Sequence, residues 1–101
     1  MDVTKKEDVN RTFATIESTF GRLDVVVNNA GVGILSEVEG TPEDVARHLF
    51  EVNFWGALYI SREAVRAFRE MNPKGAGGRI IQISSQTSIS AAAGCSFYSA
   101  S

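Results

Sequence analysis

At 101 residues the chain is long enough for one small domain around a single hydrophobic core and too short for two. Its composition, 44% apolar and 22% charged, is that of an ordinary globular protein and excludes disorder and coiled coil. Ten basic against twelve acidic residues give a net charge of −2 without a basic cluster, which excludes a nucleic-acid footprint, and no apolar run approaches the ~20 residues of a membrane span.

The first predicted element is a helix. Thr4 can cap it, and Glu7 three positions later completes a capping box. Val9, Phe13, Ile16 and Phe20 recur at helical spacing, and Gly21 stands where a left-handed terminator is expected. Leu23 to Val27 then reads as a strand. Its continuous Val25-Val26-Val27 run suits a strand covered on both faces. Asn28 to Gly40 is a loop.

Thr41-Pro42-Glu43-Asp44 starts a second helix with a capping hydroxyl, a proline in the first turn and early acids. The pattern carries it to about Met71. One apolar stripe runs through Val45, Leu49, Val52, Gly56, Tyr59 and Ala64, and another holds Phe50, Phe54 and Leu58. Two stripes imply two neighbours, one of them a candidate second subunit. Asn72-Pro73 and the glycines from 75 to 78 end the helix. Ile80 to Ile83 is a second buried strand. Ser84 to Ser96 is a loop of small residues. The order helix, strand, helix, strand implies an α/β fold with a parallel sheet.

In such a sheet, ligands bind beyond the carboxyl ends of the strands. Asn28-Asn29-Ala30-Gly31 and Ser84-Ser85 occupy those positions. Their small residues admit a flat ligand close to the backbone. Read alone, Asn-Ala-Gly is a turn. It is accompanied, however, by Asp2-Val3-Thr4, a mid-helix Asn53, Ser85 after a buried strand, and Tyr98-Ser99-Ala100-Ser101. Taken in order, these motifs resemble the middle section of the short-chain dehydrogenase/reductase family, and the resemblance covers essentially the whole chain.

That resemblance implies a partial Rossmann-like, doubly wound parallel sheet over residues 1–101, the central part of an NAD(P)-dependent oxidoreductase. It implies Tyr98 as acid/base, Ser85 as the hydroxyl that orients substrate, and Asn53 as support for a proton relay. Asp2 and Val3 would meet adenine, and Asn29, Ala30 and Gly31 would line the ribose region beside Tyr98. NAD and NADP both remain open. The implied substrate is a small-molecule carbonyl or alcohol. The implied assembly is a homo-oligomer through the helix carrying Phe50, Phe54 and Leu58, unless those residues cover other helices of the same subunit. Of Ser84 and Ser85, alternation along a strand allows only one to face the cleft, and the thirteen-residue spacing to Tyr98 favours Ser85.

The family's Gly-rich loop would fall before Met1, and its lysine just past Ser101. Both ends therefore read as cuts through a longer polypeptide. The rival reading is a non-catalytic module or dimerising scaffold, because a phenol ionises near pH 10 unless a cation lies beside it. A related epimerase or dehydratase fits Asn-Asn-Ala-Gly less well. Cys95 is the only cysteine and His48 the only histidine, so neither a disulfide nor a cysteine- or histidine-built metal site is expected. No basic region with an apolar run precedes the first helix, and a cytoplasmic location is expected.

Overall fold

The computed structural model describes residues 1–101. Helix α1 spans Lys6–Phe20. Its stripe buries Val9 and Phe13, half-buries Ile16 and leaves Phe20 exposed. Gly21 ends the helix at φ 67°, donating its N–H to the Glu17 carbonyl. The expected capping box does not form. Lys5 holds the cap position without a side-chain bond, while the Thr4 hydroxyl donates to Asp2 Oδ1 at 2.7 Å. The Thr4 N–H donates to the same oxygen at 3.0 Å. The Thr4 side chain is engaged by Asp2 and the helix cap falls one residue later, at Lys5, so the Thr4 oxygen receives no helix N–H.

Two strands, β1 (Val25–Asn28) and β2 (Arg79–Gln82), pair in parallel, with Val25 opposite Arg79 and Asn28 opposite Gln82. The helical arm between them has three parts: α2 (Glu43–Phe50), a π-helical turn over Glu51–Gly56, and α3 (Ala57–Glu70). The pattern predicted one uninterrupted helix. Thr41 does not cap it. Its hydroxyl donates back to the Glu37 carbonyl at 2.7 Å, and Pro42 stands at the cap. The buried residues are Ala46, Leu49, Val52, Gly56, Ile60, Ala64 and Ala67, whereas Val45 is exposed. Gly56 permits a close approach: a Cβ there would lie 2.7 Å from Val3 Cγ2 and 3.0 Å from Val3 Cβ.

Helix α3 packs on α1 and on one face of β1. Val9, Phe13, Ile60, Ala64 and Ala67 form that core, with Val26 reaching it from the sheet. Asn72, buried after α3, ties the layer together. Its Oδ1 accepts the Leu23 N–H at 2.9 Å, and its Nδ2 donates to the carbonyls of Leu23 and Gly77.

The strands are not covered on both faces. Val27 is 57% exposed, and every residue of β2 is exposed. A β-branched run records burial on two sides, and these residues supply helices to only one. The result is a slab of 50 × 27 × 14 Å whose radius of gyration, 16.0 Å, exceeds the ~13 Å of a compact 100-residue domain.

After β2 come a 3₁₀ turn at Gln86–Ser88 and a short helix, α4 (Ser96–Ala100). No helix is long and apolar enough to cross a membrane.

Candidate active site

Both parallel strands release the chain at the same edge of the sheet. The Ile83 N–H donates to the Asn28 carbonyl at 3.1 Å, which holds the two exits side by side. Between them opens a cavity of about 490 Å³. The first exit contributes Asn29, Ala30 and Gly31, and the second contributes Ser85. Asn53 enters from the π-helical turn and Tyr98 from α4. Six of the residues singled out from the sequence thus share one wall system. Asp2 and Val3 do not line it. Asp2 is bonded to Thr4, and Val3 packs on Gly56.

Ser84 lines the cavity together with Ser85, contrary to the expected alternation. Strand β2 ends at Gln82, so the pleat no longer sorts the two serines to opposite sides. Their bonding distinguishes them. Ser84 is exposed and donates to Ser88 Oγ at 3.2 Å. Ser85 is half-buried and caps the 3₁₀ turn, accepting from the Thr87 N–H at 3.4 Å and the Thr87 hydroxyl at 3.1 Å.

Asn28 has a structural task. It is 3% exposed, and its Nδ2 donates to the Ala57 carbonyl at 2.9 Å, pinning the end of β1 to α3. Asn53 grips the facing loop. Its Oδ1 accepts the Val32 N–H and its Nδ2 donates to the Val32 carbonyl, each at 2.8 Å. The same Nδ2 donates to Ser101 Oγ at 2.9 Å, and Ser101 donates to the Tyr98 carbonyl at 2.9 Å. A chain of bonds therefore joins the Val32 loop, the π-helical turn and the helix bearing Tyr98. Gly33 lies under the Tyr98 ring, where a Cβ would make ordinary contact at 3.8 Å.

Sequence reasoning missed Val32, Thr87 and Ser101. Asn53 is named only through the family resemblance, and nothing in the pattern marks its partners.

No acidic or basic side chain lines the cavity. Two shifted carboxyls lie at the start of α1, and a third, Asp24 before β1, is lowered by the hydrogen bond from Arg22. The Thr4 hydroxyl holds the Asp2 carboxyl below its ordinary value, and the Asp2 backbone N–H does the same for Asp8. No group of three or more His, Cys, Asp or Glu side chains converges anywhere. His48 is exposed, and the Cys95 thiol is free and half-buried. A second groove, of about 530 Å³, has Phe50, Trp55 and Phe97 among its walls.

The family model described as short chain dehydrogenase matches residues 1–101. The chain belongs to the short chain dehydrogenase family. Among relatives, it is 40% identical over 101 residues to an uncharacterized oxidoreductase of Schizosaccharomyces pombe, covering 100% of this chain and 34% of that protein. It is 38% identical over 102 residues to 11-beta-hydroxysteroid dehydrogenase 1A of Arabidopsis thaliana, covering 99% of this chain and 28% of that one. A solved short-chain dehydrogenase from Streptomyces avermitilis superposes with a TM-score of 0.87 at 36% identity, over 99% of this chain and 35% of that structure. ElxO, solved with NADP bound, gives 0.88 at 31% identity over 99% and 39%. The chain thus spans about a third of the length of these short chain dehydrogenases.

Proposed function

We propose that this chain is the central segment of an NAD(P)-dependent oxidoreductase that interconverts a carbonyl and an alcohol on a small molecule. The observation that carries the reading is the meeting of Ser85, Tyr98 and Asn53 on one cavity at the carboxyl edge of a parallel sheet. Reduction of a carbonyl leaves charge on its oxygen, which then needs a proton and a hydrogen-bond donor. Tyr98 is the acid/base: its phenol gives the proton in reduction and takes it in oxidation. Ser85 orients the substrate by donating its hydroxyl proton to the same oxygen. Asn53 supports the relay. Both protons of its amide are committed to Val32 and Ser101, and Oδ1 keeps one lone pair for a water.

Asn29, Ala30 and Gly31 line the ribose region of the nucleotide beside Tyr98, and Asp2 and Val3 meet its adenine end. The residues fit such a group. Asn29 is an exposed amide, and Ala30 and Gly31 offer backbone with no side chain beyond a methyl. A Cβ at Gly31 would already stand 3.4 Å from Asn53 Oδ1. When bound, the nicotinamide supplies or accepts the hydride. The likeness to ElxO with NADP bound supports a cofactor of the NAD or NADP type.

Turnover by the full-length protein tests the reading. Tyr98→Phe is expected to lose activity by about 10²–10⁴-fold while still binding cofactor. Full activity of that variant, or no turnover of any carbonyl or alcohol by the unaltered protein, overturns it.

One observation favours a second reading for the 101 residues taken alone. No lysine or arginine lines the cavity, and a cation beside a phenol is what favours its ionised form. By itself the segment is a non-catalytic module. Micromolar binding of NADPH to the purified segment, measured by calorimetry, would refute this.

The reading includes a homo-oligomer. Phe54 is 50% exposed and meets Trp55 edge to face at 5.2 Å, with Phe50 and Leu58 half-buried nearby along the arm. A two-fold copy of the same helix would cover them. Sedimentation of Phe54→Glu in the full-length protein is expected to show dissociation, and an unchanged assembly overturns this part. A cytoplasmic setting belongs to the same reading and is tested by cell fractionation.

A further inference from the structure

Ser85 Oγ receives two hydrogen bonds from a single residue, one from the Thr87 N–H at 3.4 Å and one from the Thr87 hydroxyl at 3.1 Å. A serine hydroxyl has two lone pairs and one proton. With both lone pairs engaged by Thr87, the proton is the only free valence left to Ser85. Ser85 and Thr87 line the same cavity, and the Thr87 hydroxyl has no other partner within the chain. Ser84 donates to Ser88 Oγ, and Ser88 donates to the Ser85 carbonyl, so neither competes for Ser85 Oγ.

We propose that Thr87 is a positioning residue of the site: it fills the acceptor capacity of Ser85 Oγ, so that the serine presents a donor, and only a donor, to the substrate oxygen. A free hydroxyl can turn either way. Facing an alcohol, it can accept the substrate proton instead of leaving that proton to Tyr98. With its lone pairs occupied, Ser85 meets carbonyl and alcohol in the same sense, and each bond it receives strengthens the one it gives. The inference rests on the reading of Ser85 as the orienting hydroxyl.

Three variants of the full-length enzyme test it, with cofactor affinity measured beside steady-state kinetics. Thr87→Val keeps the shape and removes the hydroxyl. It is expected to lower kcat by about tenfold, the value of one neutral hydrogen bond, with cofactor affinity and the midpoint of the pH–rate profile unchanged. Thr87→Ser loses the methyl and keeps the hydroxyl, and is expected to stay within about twofold of the unaltered enzyme. In a Ser85→Ala background, Thr87→Val should add no further loss, because the group it acts on is gone. If Thr87→Val does not fold, Thr87→Ala gives the same reading. Wild-type kinetics for Thr87→Val alongside a damaged Ser85→Ala overturns the inference and leaves the Ser85 reading intact. So does the reverse pattern, in which Thr87→Ser fails and Thr87→Val works, because packing alone would produce it. An unimpaired Ser85→Ala removes both.

Discussion

Asn53 holds Val32 with both ends of its amide, the Nδ2 donating to the Val32 carbonyl and the Oδ1 accepting the Val32 N–H, each at 2.8 Å. A side chain here completes the pairing that a neighbouring strand would supply elsewhere. The grip fixes the loop after β1 at the distance that opens the cavity.

Asn53→Leu removes that grip and leaves two backbone groups of Val32 without protein partners. The expected loss is about 1–3 kcal/mol of stability. Asn53→Asp is expected to cost as much, because a carboxylate oxygen then faces the Val32 carbonyl. Thermal denaturation of the full-length protein reads the change. A melting point unmoved in both variants contradicts the assignment.

Gly56→Ala drives a methyl to within 2.7 Å of Val3 Cγ2 and 3.2 Å of the Val3 carbonyl oxygen. Overpacking of this kind costs about 1–3 kcal/mol. Val3→Ala in the same chain is expected to return part of that loss, because it removes one of the clashing methyls. A double-mutant cycle by chemical denaturation measures the coupling. Strict additivity of the two changes would show that the contact is not the cause.

Asn72→Ala strips three hydrogen bonds from the entry to β1 and leaves the N–H and carbonyl of Leu23 and the carbonyl of Gly77 unpartnered. Each lost bond is worth about 0.5–1.5 kcal/mol, more for the half-buried Leu23 groups than for the carbonyl of exposed Gly77. The variant is expected to be among the least stable single changes in the chain. Amide hydrogen exchange at Leu23 should speed up ahead of the rest of the layer.

How much of this was legible in the sequence differs from element to element. The order of helices and strands, the parallel sheet and the exits at Asn28 and Ser84 follow from hydrophobic period and turn residues. These signals are local and survive in a segment. The two capping predictions failed for a common reason. Each helix cap falls one residue after the threonine, at Lys5 and Pro42, and the two hydroxyls are held instead by Asp2 and the Glu37 carbonyl, which local propensity does not foresee. The π-helical turn was invisible because the apolar stripe runs through it unbroken. The bare face of the sheet was misread because β-branched runs report how many layers a strand expects, not how many these residues provide. At the site, Asn53, Ser85 and Tyr98 are named only as an ordered set, through the family they resemble, and all three line the cavity. Val32, Thr87 and Ser101 are not, because their part is to hold those three.

The carboxyls at the start of α1 set an acid limit. Asp2 is lowered from 3.8 by the bond from the Thr4 hydroxyl, and Asp8 by the bond from the Asp2 N–H. A group whose folded value lies below its unfolded one contributes stability that is present above the unfolded value and lost as pH falls through the folded one. The loss is therefore expected below about pH 4, not near neutrality. Both groups are at the surface, so salt should shrink the effect. Circular dichroism along a pH series checks it. Thr4→Val, which deletes the largest cause at Asp2, should flatten the acid limb.

The π-helical turn at Glu51–Gly56 also decides where the arm looks. One additional residue in a turn amounts to roughly 100° of swivel about the helix axis. On a regular helix, Ala46 and Leu49 would point the same way as Ile60, Ala64 and Ala67. Here α3 turns toward α1 and β1, while α2 meets α4. A single amphipathic ribbon thus serves two masters, the sheet layer and the short helix that carries Tyr98. Were all six residues of 51–56 drawn into regular α-helix, both halves would aim at one partner, and the phenol would be unmoored from the strands it works above.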